Sequence, residues 1–399
     1  MDPAPLKAAF HQLFPQADTS RLIAVRAPGR VNLIGEHTDY NDGYVCPMAI
    51  DRSTLILAAP RTDGLVRMHS VSAKAPGATT PGETAEFSIL QEVPHTPPAW
   101  SLYPKGSAEA IRTRVGGLTV GMDALVDSDI PLGGGLSSSA SFEVATALTL
   151  LTLNGKKMPM EELALACQWA EHHYPRMPCG IMDQFISAMG EKGHALLLDC
   201  RSRQTRQVPL DDPQLRVVIS NSNVKHDLVA GEYAGRRHQC EAALAFLQRK
   251  NPGIKALRDA TIDMLEDSRL GMDPTAFRRA RHVITEIQRT VDFAEALEKR
   301  DYDRCGKLML ASHASLRDDY AVSCAELDAL VDIAQAVPGV YGARMTGGGF
   351  GGCIVALAQA SAVEPLTRAI AREYPRRCGG KQASTFSTVP SQGAHLEAV

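Results

Sequence analysis

The chain lacks a long apolar run, a clustered basic charge and a paired cysteine motif, and each absence removes a class of function. No segment approaches the ~20 consecutive apolar residues of a membrane-spanning helix. The start, Met1-Asp2-Pro3-Ala4-Pro5, does not set a basic stretch before an apolar one, so no secretory signal is expected. The nine cysteines are odd in number and include no Cys-x-x-Cys pair, which argues against a disulfide framework and a zinc ribbon. They are expected to be small buried residues in a reducing compartment, and the protein cytoplasmic. Net charge is −3, and basic pairs such as Arg236-Arg237 and Arg376-Arg377 are short and read as solvated charge. No nucleic-acid or membrane partner is therefore expected. No internal repeat is present.

What is there is enough for two domains: 399 residues, 44% apolar and 22% charged. Strand patterns are expected at residues 21–27, 54–59, 66–70, 118–126, 195–199, 215–220, 341–345, 353–358 and 383–389. Helical patterns are expected at 6–14, 142–153, 160–172, 229–249, 275–299, 324–336 and 364–374. Residues 75–83 read as an exposed loop. The chain turns polar around 201–213, which puts a domain boundary there, with lobes at 1–210 and 211–399. Strands and helices mix without strict alternation, so the expected class is α+β.

The densest chemistry lies in Arg30 to Asp42, Arg-Val-Asn-Leu-Ile-Gly-Glu-His-Thr-Asp-Tyr-Asn-Asp. The stretch has no clean period of 2 or 3.6, so it reads as neither a half-buried strand nor an amphipathic helix. Its carboxylates, Arg and His suit a ligand rich in hydroxyl groups.

Gly133-Gly134-Gly135-Leu136-Ser137-Ser138-Ser139 runs into an apolar helical segment. Glycines let backbone N–H groups approach an anion, and the helix behind adds partial positive charge, so the loop suits a phosphate. The serines add hydroxyl donors or a magnesium ligand. No Lys follows, which excludes a P-loop, and the Gly-x-Gly-x-x-Gly spacing of a dinucleotide fold is absent. Thr346 to Gly352 is a second glycine-rich turn; it fits either tight strand packing or closure over the same nucleotide.

Asp183 stands among apolar neighbours, where a carboxylate is costly without a partner. It reads either as a helix-capping residue or as a functional acid, with Arg30 as its natural partner. Glu171 at a helix C-terminus opposes the dipole, so it is either solvated or beside a cation. The neighbours His172-His173 point in different directions on a helix and read as ordinary polar residues.

Ala27-Pro28-Gly29-Arg30 with Gly35-Glu36-His37-Thr38-Asp39-Tyr40-Asn41 resembles the galactokinase signature. Pro131 to Ala140 and Thr346 to Gly352 resemble the second and third motifs of the wider galacto-, homoserine, mevalonate and phosphomevalonate (GHMP) kinase superfamily. The likeness extends to Met177 to Gln184, to Tyr233 with Arg236-Arg237, and to Ser312 to Asp328. It implies two lobes, a ribosomal protein S5 domain 2-like one and a ferredoxin-like one, with the active site between them. It implies ATP-dependent phosphorylation of the C1 hydroxyl of α-D-galactose, the entry to the Leloir pathway, by a monomer or weak dimer. Carried over by residue, Asp183 matches the general base and Arg30 the transition-state arginine. Glu36, His37, Thr38, Asp39, Gly180 and Tyr233 match sugar contacts, with Asp183 beside them. Gly133, Gly134, Gly135, Leu136, Ser137, Ser138 and Ser139 match the ATP phosphate loop, with Ser70 as a further nucleotide contact. Ser139 and Glu171 match ligands of Mg²⁺. Tyr44 and the stretch Ser101 to Gly106 depart from the family pattern at positions expected near the sugar rim, which leaves a kinase of N-acetylgalactosamine or L-arabinose open. A galactose- and ATP-binding regulator on the same scaffold is the non-enzymatic alternative; the intact serine motif argues for catalysis.

Overall fold

The computed structural model describes residues 3–71, 82–131, 133–224 and 229–398, with the side chains of 229–231 and 233 outside that description. The expected loop at 75–83 therefore lies largely outside the described residues. Among those described, the strands are Ile23–Asn32 (β1), Tyr44–Val45 (β2), Pro47–Arg61 (β3), Leu65–Ser70 (β4), Thr84–Ser88 (β5), Gly121–Ser128 (β6), His194–Asp199 (β7), Thr205–Pro209 (β8), Leu215–Asn221 (β9), Val340–Thr346 (β10), Cys353–Gln359 (β11), Ser384–Thr388 (β12) and His395–Glu397 (β13).

They form three sheets. The first has the order β13-β1-β3-β6-β4-β5, the second β10-β11-β9-β12 and the third β2-β7-β8. Every pairing is antiparallel except β4 with β6. With helices covering the sheets, the class is α+β, as the mixed pattern implied.

Alternation along β3 sets the two faces of the first sheet. Ile56 and Ala58 point into the main core with Phe142, Val144 and Phe185 from the helices Ser138–Leu153 and Met182–Met189. Leu55, Leu57 and Ala59 point the other way, where Leu6 and Phe10 of the helix Pro3–Leu13 cover them. The helices Leu102–Arg114 and Met160–His173 complete the outer layer; a Cβ on Gly106 would sit 3.0 Å from that of Ala170, so a glycine is what lets them approach.

The second sheet is also two-faced. Val218, Ile354 and Ala356 pack against the helices Ala325–Gln335 and Val363–Arg377. Val217, Ile219, Val355 and Leu357 share a core with Val31, Leu33, Met48 and Ile130 of the first half. The two halves are thus joined through a common apolar core. The chain's end adds a second tie: β13 pairs with β1, so the sheets do not divide the chain at one point near residue 210.

The local differences from expectation have simple causes. β1 continues to Asn32, into the block read as patternless, because both of its faces are buried there and alternation disappears. The helices Leu102–Arg114 and Tyr302–Asp318 are additions to the expected set. The second of these lies on β10 through Gly306, whose Cβ would fall 1.9 Å from the Tyr341 carbonyl.

Candidate active site

Arg30 enters the centre of the molecule from β1, just past a register shift between Pro28 and Arg30. A Cβ on the intervening Gly29 would lie 2.7 Å from the Leu136 carbonyl. With only hydrogen there, the glycine loop closes on the strand, and the Arg30 amide donates to that carbonyl at 3.1 Å.

Asp183 comes from the first turn of the helix Met182–Met189. Arg30 holds it with two parallel hydrogen bonds, Nε to Oδ1 and Nη2 to Oδ2, each 2.8 Å. The third side of the guanidinium donates to the Gly135 carbonyl, and the Ser137 hydroxyl donates to Asp183 Oδ2. Burial works against the charge on Arg30, but Asp183, with Glu36 and Asp39 beyond it, outweighs burial and raises its pKa.

Two hollows meet at this pair. One, of about 210 Å³, is lined by Glu36, His37, Asp39, Glu171, Gly180 and Gly347 among others. The other, of about 230 Å³, is formed by Gly133, Gly135, Leu136, Ser137, Ser138 and Ser139. Arg30 and Asp183 line both.

The second hollow has the build expected for an anion. Gly133, Gly135 and Ser137 have φ of 69°, 68° and 59°, the left-handed region that turns amides toward a common point. The helix Ser138–Leu153 begins directly behind and brings its positive end to the loop. Gly134 is turned away, against Asn221 and Cys353. The second glycine turn touches the first: Gly347 and Gly352 lie against Gly135 and Gly134.

Carboxylates dominate the first hollow. Asp39 is pushed up to about 7 by burial and by the nearby charges of Asp183 and Glu36. Its carboxylate fits only because residue 180 is a glycine, whose Cβ would stand 1.5 Å from Asp39 Oδ2. Glu36 is buried, and its Oε1 accepts from the Gly347 amide at 2.7 Å, the Thr346 hydroxyl at 3.1 Å and Arg344 Nη1 at 3.4 Å. His37 adopts a φ of 63°; its Nδ1 meets the Tyr40 hydroxyl at 2.7 Å. Burial, with His282 and Arg236 nearby, lowers its pKa to about 3, so the ring is neutral.

Glu171 lies at the end of the helix Met160–His173, at the boundary of the two hollows. Its carboxylate takes hydrogen bonds from Gln184 Nε2 and the Cys179 thiol, and the Ser139 hydroxyl lies near enough to favour its charged form. Burial and the charge of Asp183 raise it to about 7. Gln184 also donates to Glu143 at 3.1 Å, a fully buried acid on Ser138–Leu153 that burial and Glu171 push well up. The neighbouring histidines are ordinary, as expected: His172 Nε2 meets the Cys179 carbonyl at 2.8 Å and His173 Nδ1 the Trp169 carbonyl at 2.7 Å.

Packing places several of the expected residues away from the lining of either hollow. Thr38 is fully buried, and its hydroxyl shares its one proton between the carbonyls of Gly35 and Tyr44, at 2.8 and 2.7 Å; it shapes the turn and does not line the hollow. Ser70 is buried at the end of β4, its amide bonded to the Glu83 carbonyl, and lines neither hollow. Tyr44 points to Arg258, whose Nη2 donates to its hydroxyl at 2.7 Å, and it is not among the residues that line the first hollow. Residues 101–106 open the helix Leu102–Arg114 and place Lys105 Nζ on the Thr96 carbonyl at 2.7 Å, also off the lining. Tyr233 lies on the helix Val229–Lys250, and its side chain is outside the described residues.

Sequence reasoning missed Arg344, Gln184 and Glu143 as site residues. Glu143 could have been found as the one acid in the apolar run Phe142 to Leu153. Arg344 had no such signal, since a single Arg in a strand pattern reads as solvated.

Comparison with known proteins agrees with this arrangement. The galactokinase galactose-binding signature matches residues 8–60, the GHMP kinases N terminal domain 103–191 and the GHMP kinases C terminal domain 293–376. Galactokinase of Homo sapiens is 52% identical over 94% of this chain and 92% of its own length. That of Chloroflexus aurantiacus is 46% identical over 94% and 93%. The crystal structure of Lactococcus lactis galactokinase complexed with galactose superposes with a TM-score of 0.91 at 34% identity, covering 98% of this chain and 99% of that one. A mevalonate kinase, 18% identical with a TM-score of 0.62 over 92% of this chain and 98% of its own, shares the fold. By these matches, running nearly end to end, the chain belongs to the galactokinase family of the GHMP kinases.

Proposed function

We propose that this protein transfers the γ-phosphoryl group of ATP to the C1 hydroxyl of α-D-galactose, giving galactose 1-phosphate. The observation that carries the reading is the Arg30–Asp183 pair standing where a carboxylate-lined hollow meets a glycine-built anion loop. Phosphoryl transfer rests on alignment and charge neutralisation rather than on covalent chemistry by the protein, and two adjoining sites supply the alignment.

Galactose is held by Glu36, His37 and Asp39, with Gly180 beside them and Tyr233 as a further contact by the family resemblance, and ATP phosphates by Gly133, Gly135 and Leu136 to Ser139. Asp183 accepts the C1 hydroxyl proton as the oxygen attacks. Arg30 keeps that carboxylate in one orientation and brings positive charge to the point of transfer. His37, being neutral, offers a directional hydrogen bond without adding charge.

Ser139 and Glu171 are the residues that would hold Mg²⁺. An alcohol at the start of one helix and a carboxylate at the end of another are oxygen donors of the kind a hard cation would take. Bound there, the ion neutralises phosphate charge. Among the described residues no cluster of three or more His, Cys, Asp or Glu forms a self-sufficient metal cage, and no helix is long and apolar enough to cross a membrane. We take the enzyme to be cytoplasmic and a monomer or weak dimer.

ATP consumption measured across galactose, N-acetylgalactosamine, L-arabinose, glucose and mevalonate tests the reading. Turnover is expected with galactose first. No turnover with any sugar would favour a binding regulator, and preference for another sugar would reassign the substrate.

A further inference from the structure

Glu36 belongs to the first half of the chain, yet the groups that hold it come from the second. Its Oε1 faces Arg344, the Gly347 amide and the Thr346 hydroxyl, whose single proton is shared with the Asn32 carbonyl. The other end of the same short segment is held as well. The Gly35 amide donates to Glu286 Oε1 at 3.1 Å, and His282 Nε2 lies 3.1 Å from the Glu36 carbonyl.

Arg344 is the centre of this clamp. It is fully buried on β10. Its Nε donates to the Ser312 hydroxyl at 3.1 Å, and its Nη1 is shared between Glu36 Oε1 and the Asn32 carbonyl at 3.4 and 3.2 Å. Ser312 in turn donates to Glu286. Nη2 finds no hydrogen-bond partner among the described residues, so the guanidinium is not placed there to satisfy itself.

We infer that Arg344 is a positioning residue for sugar recognition. It acts through Glu36, fixing Oε1 from the opposite half of the chain so that the second carboxylate oxygen is presented to the sugar. The inference rests on the reading of Glu36 as a galactose contact. Two properties make Arg suited to the task. The planar fork can serve Ser312, Asn32 and Glu36 at fixed angles, which a lysine ammonium cannot. A charge held in a dry core is costly to leave unpaired, so Glu36 has one stable orientation.

The test compares Arg344→Lys, Arg344→Met and Thr346→Val, each checked for folding by circular dichroism and thermal unfolding. Galactose affinity is read by calorimetry, and galactose KM, ATP KM and kcat by coupled assay. The expected result is a rise of about tenfold or more in galactose KM and Kd for Arg344→Lys, the scale of a lost charged hydrogen bond, with ATP KM within about twofold. Arg344→Lys introduced into a Glu36→Ala background should raise galactose KM by less than about twofold, because the side chain it acts through is already gone. If Arg344→Met does not fold, Arg344→Lys and Thr346→Val decide. Folded variants that keep wild-type galactose affinity, or lose sugar and ATP equally, or add fully to Glu36→Ala, overturn the assignment. Wild-type protein that neither binds nor phosphorylates galactose overturns the underlying reading as well, and is told apart by that control.

Discussion

Arg30 and Asp183, 153 residues apart in the chain, face each other with both nitrogen–oxygen pairs at 2.8 Å. A bidentate pair of this kind fixes the carboxylate plane, and with Ser137 on Oδ2 it leaves Asp183 a narrow range of orientations. That rigidity, at the meeting point of the two hollows, is what the proposed proton transfer requires.

Asp183→Asn keeps the shape and removes the proton acceptor. It should lower kcat by about 10²- to 10⁴-fold, the usual contribution of a general base, with galactose binding still measurable by calorimetry. Turnover near the wild-type rate would sink the base assignment.

Glu36→Ala removes a sugar acceptor that lines the first hollow and not the phosphate loop. Galactose KM should rise by about tenfold or more while ATP KM moves less than about twofold. Equal losses for the two substrates would assign Glu36 a structural role.

Gly180→Ala puts a methyl where the Asp39 carboxylate stands, 1.5 Å from Oδ2. Asp39 must swing away, and a displacement of about 1 Å in a positioning group costs on the order of 10²-fold in kcat/KM for galactose. Normal kinetics in a folded variant would show that Asp39 does not need its present place.

Asp39 also predicts a pH dependence. Burial with Asp183 and Glu36 nearby raises it from 3.8 to about 7, so the folded protein holds a proton that the unfolded chain releases in that interval. Stability without sugar or metal should therefore fall as pH rises from 3.8 to about 7. Asp39→Asn has no proton to lose, and its unfolding midpoint should fall less across the same interval. Parallel curves for the two proteins would contradict the raised value.

Tyr44→Phe tests the residue expected at the sugar rim. The variant loses the hydrogen bond from Arg258 and should be less stable by about 0.5–1.5 kcal/mol, with the ratio of galactose to N-acetylgalactosamine turnover unchanged. A shifted ratio would return Tyr44 to the sugar rim.

Much of this was legible in the sequence. Apolar periodicity placed β9, β11 and the helices Met160–His173 and Pro274–Glu298 within a residue or two, because each buries one face or lies wholly in a core. The glycine loop was readable since positive φ and close backbone approach leave few residues possible at Gly133 and Gly135. Asp183 announced itself as a charge among apolar neighbours, and the resemblance at residues 27–41 indicated a sugar.

Only the tertiary structure decided which of these groups face one another. Thr38 and Asp39 are adjacent, yet one hydroxyl is turned into carbonyls while the next carboxylate lines the hollow. Arg344 has the same formal charge as any surface arginine, and its placement against Glu36 follows from the apolar core that β9, β10 and β11 share with β1 and β3. Local pattern reports which face of an element is buried; it carries no record of the partner, because contacts across hundreds of residues are set by how whole sheets and helices pack.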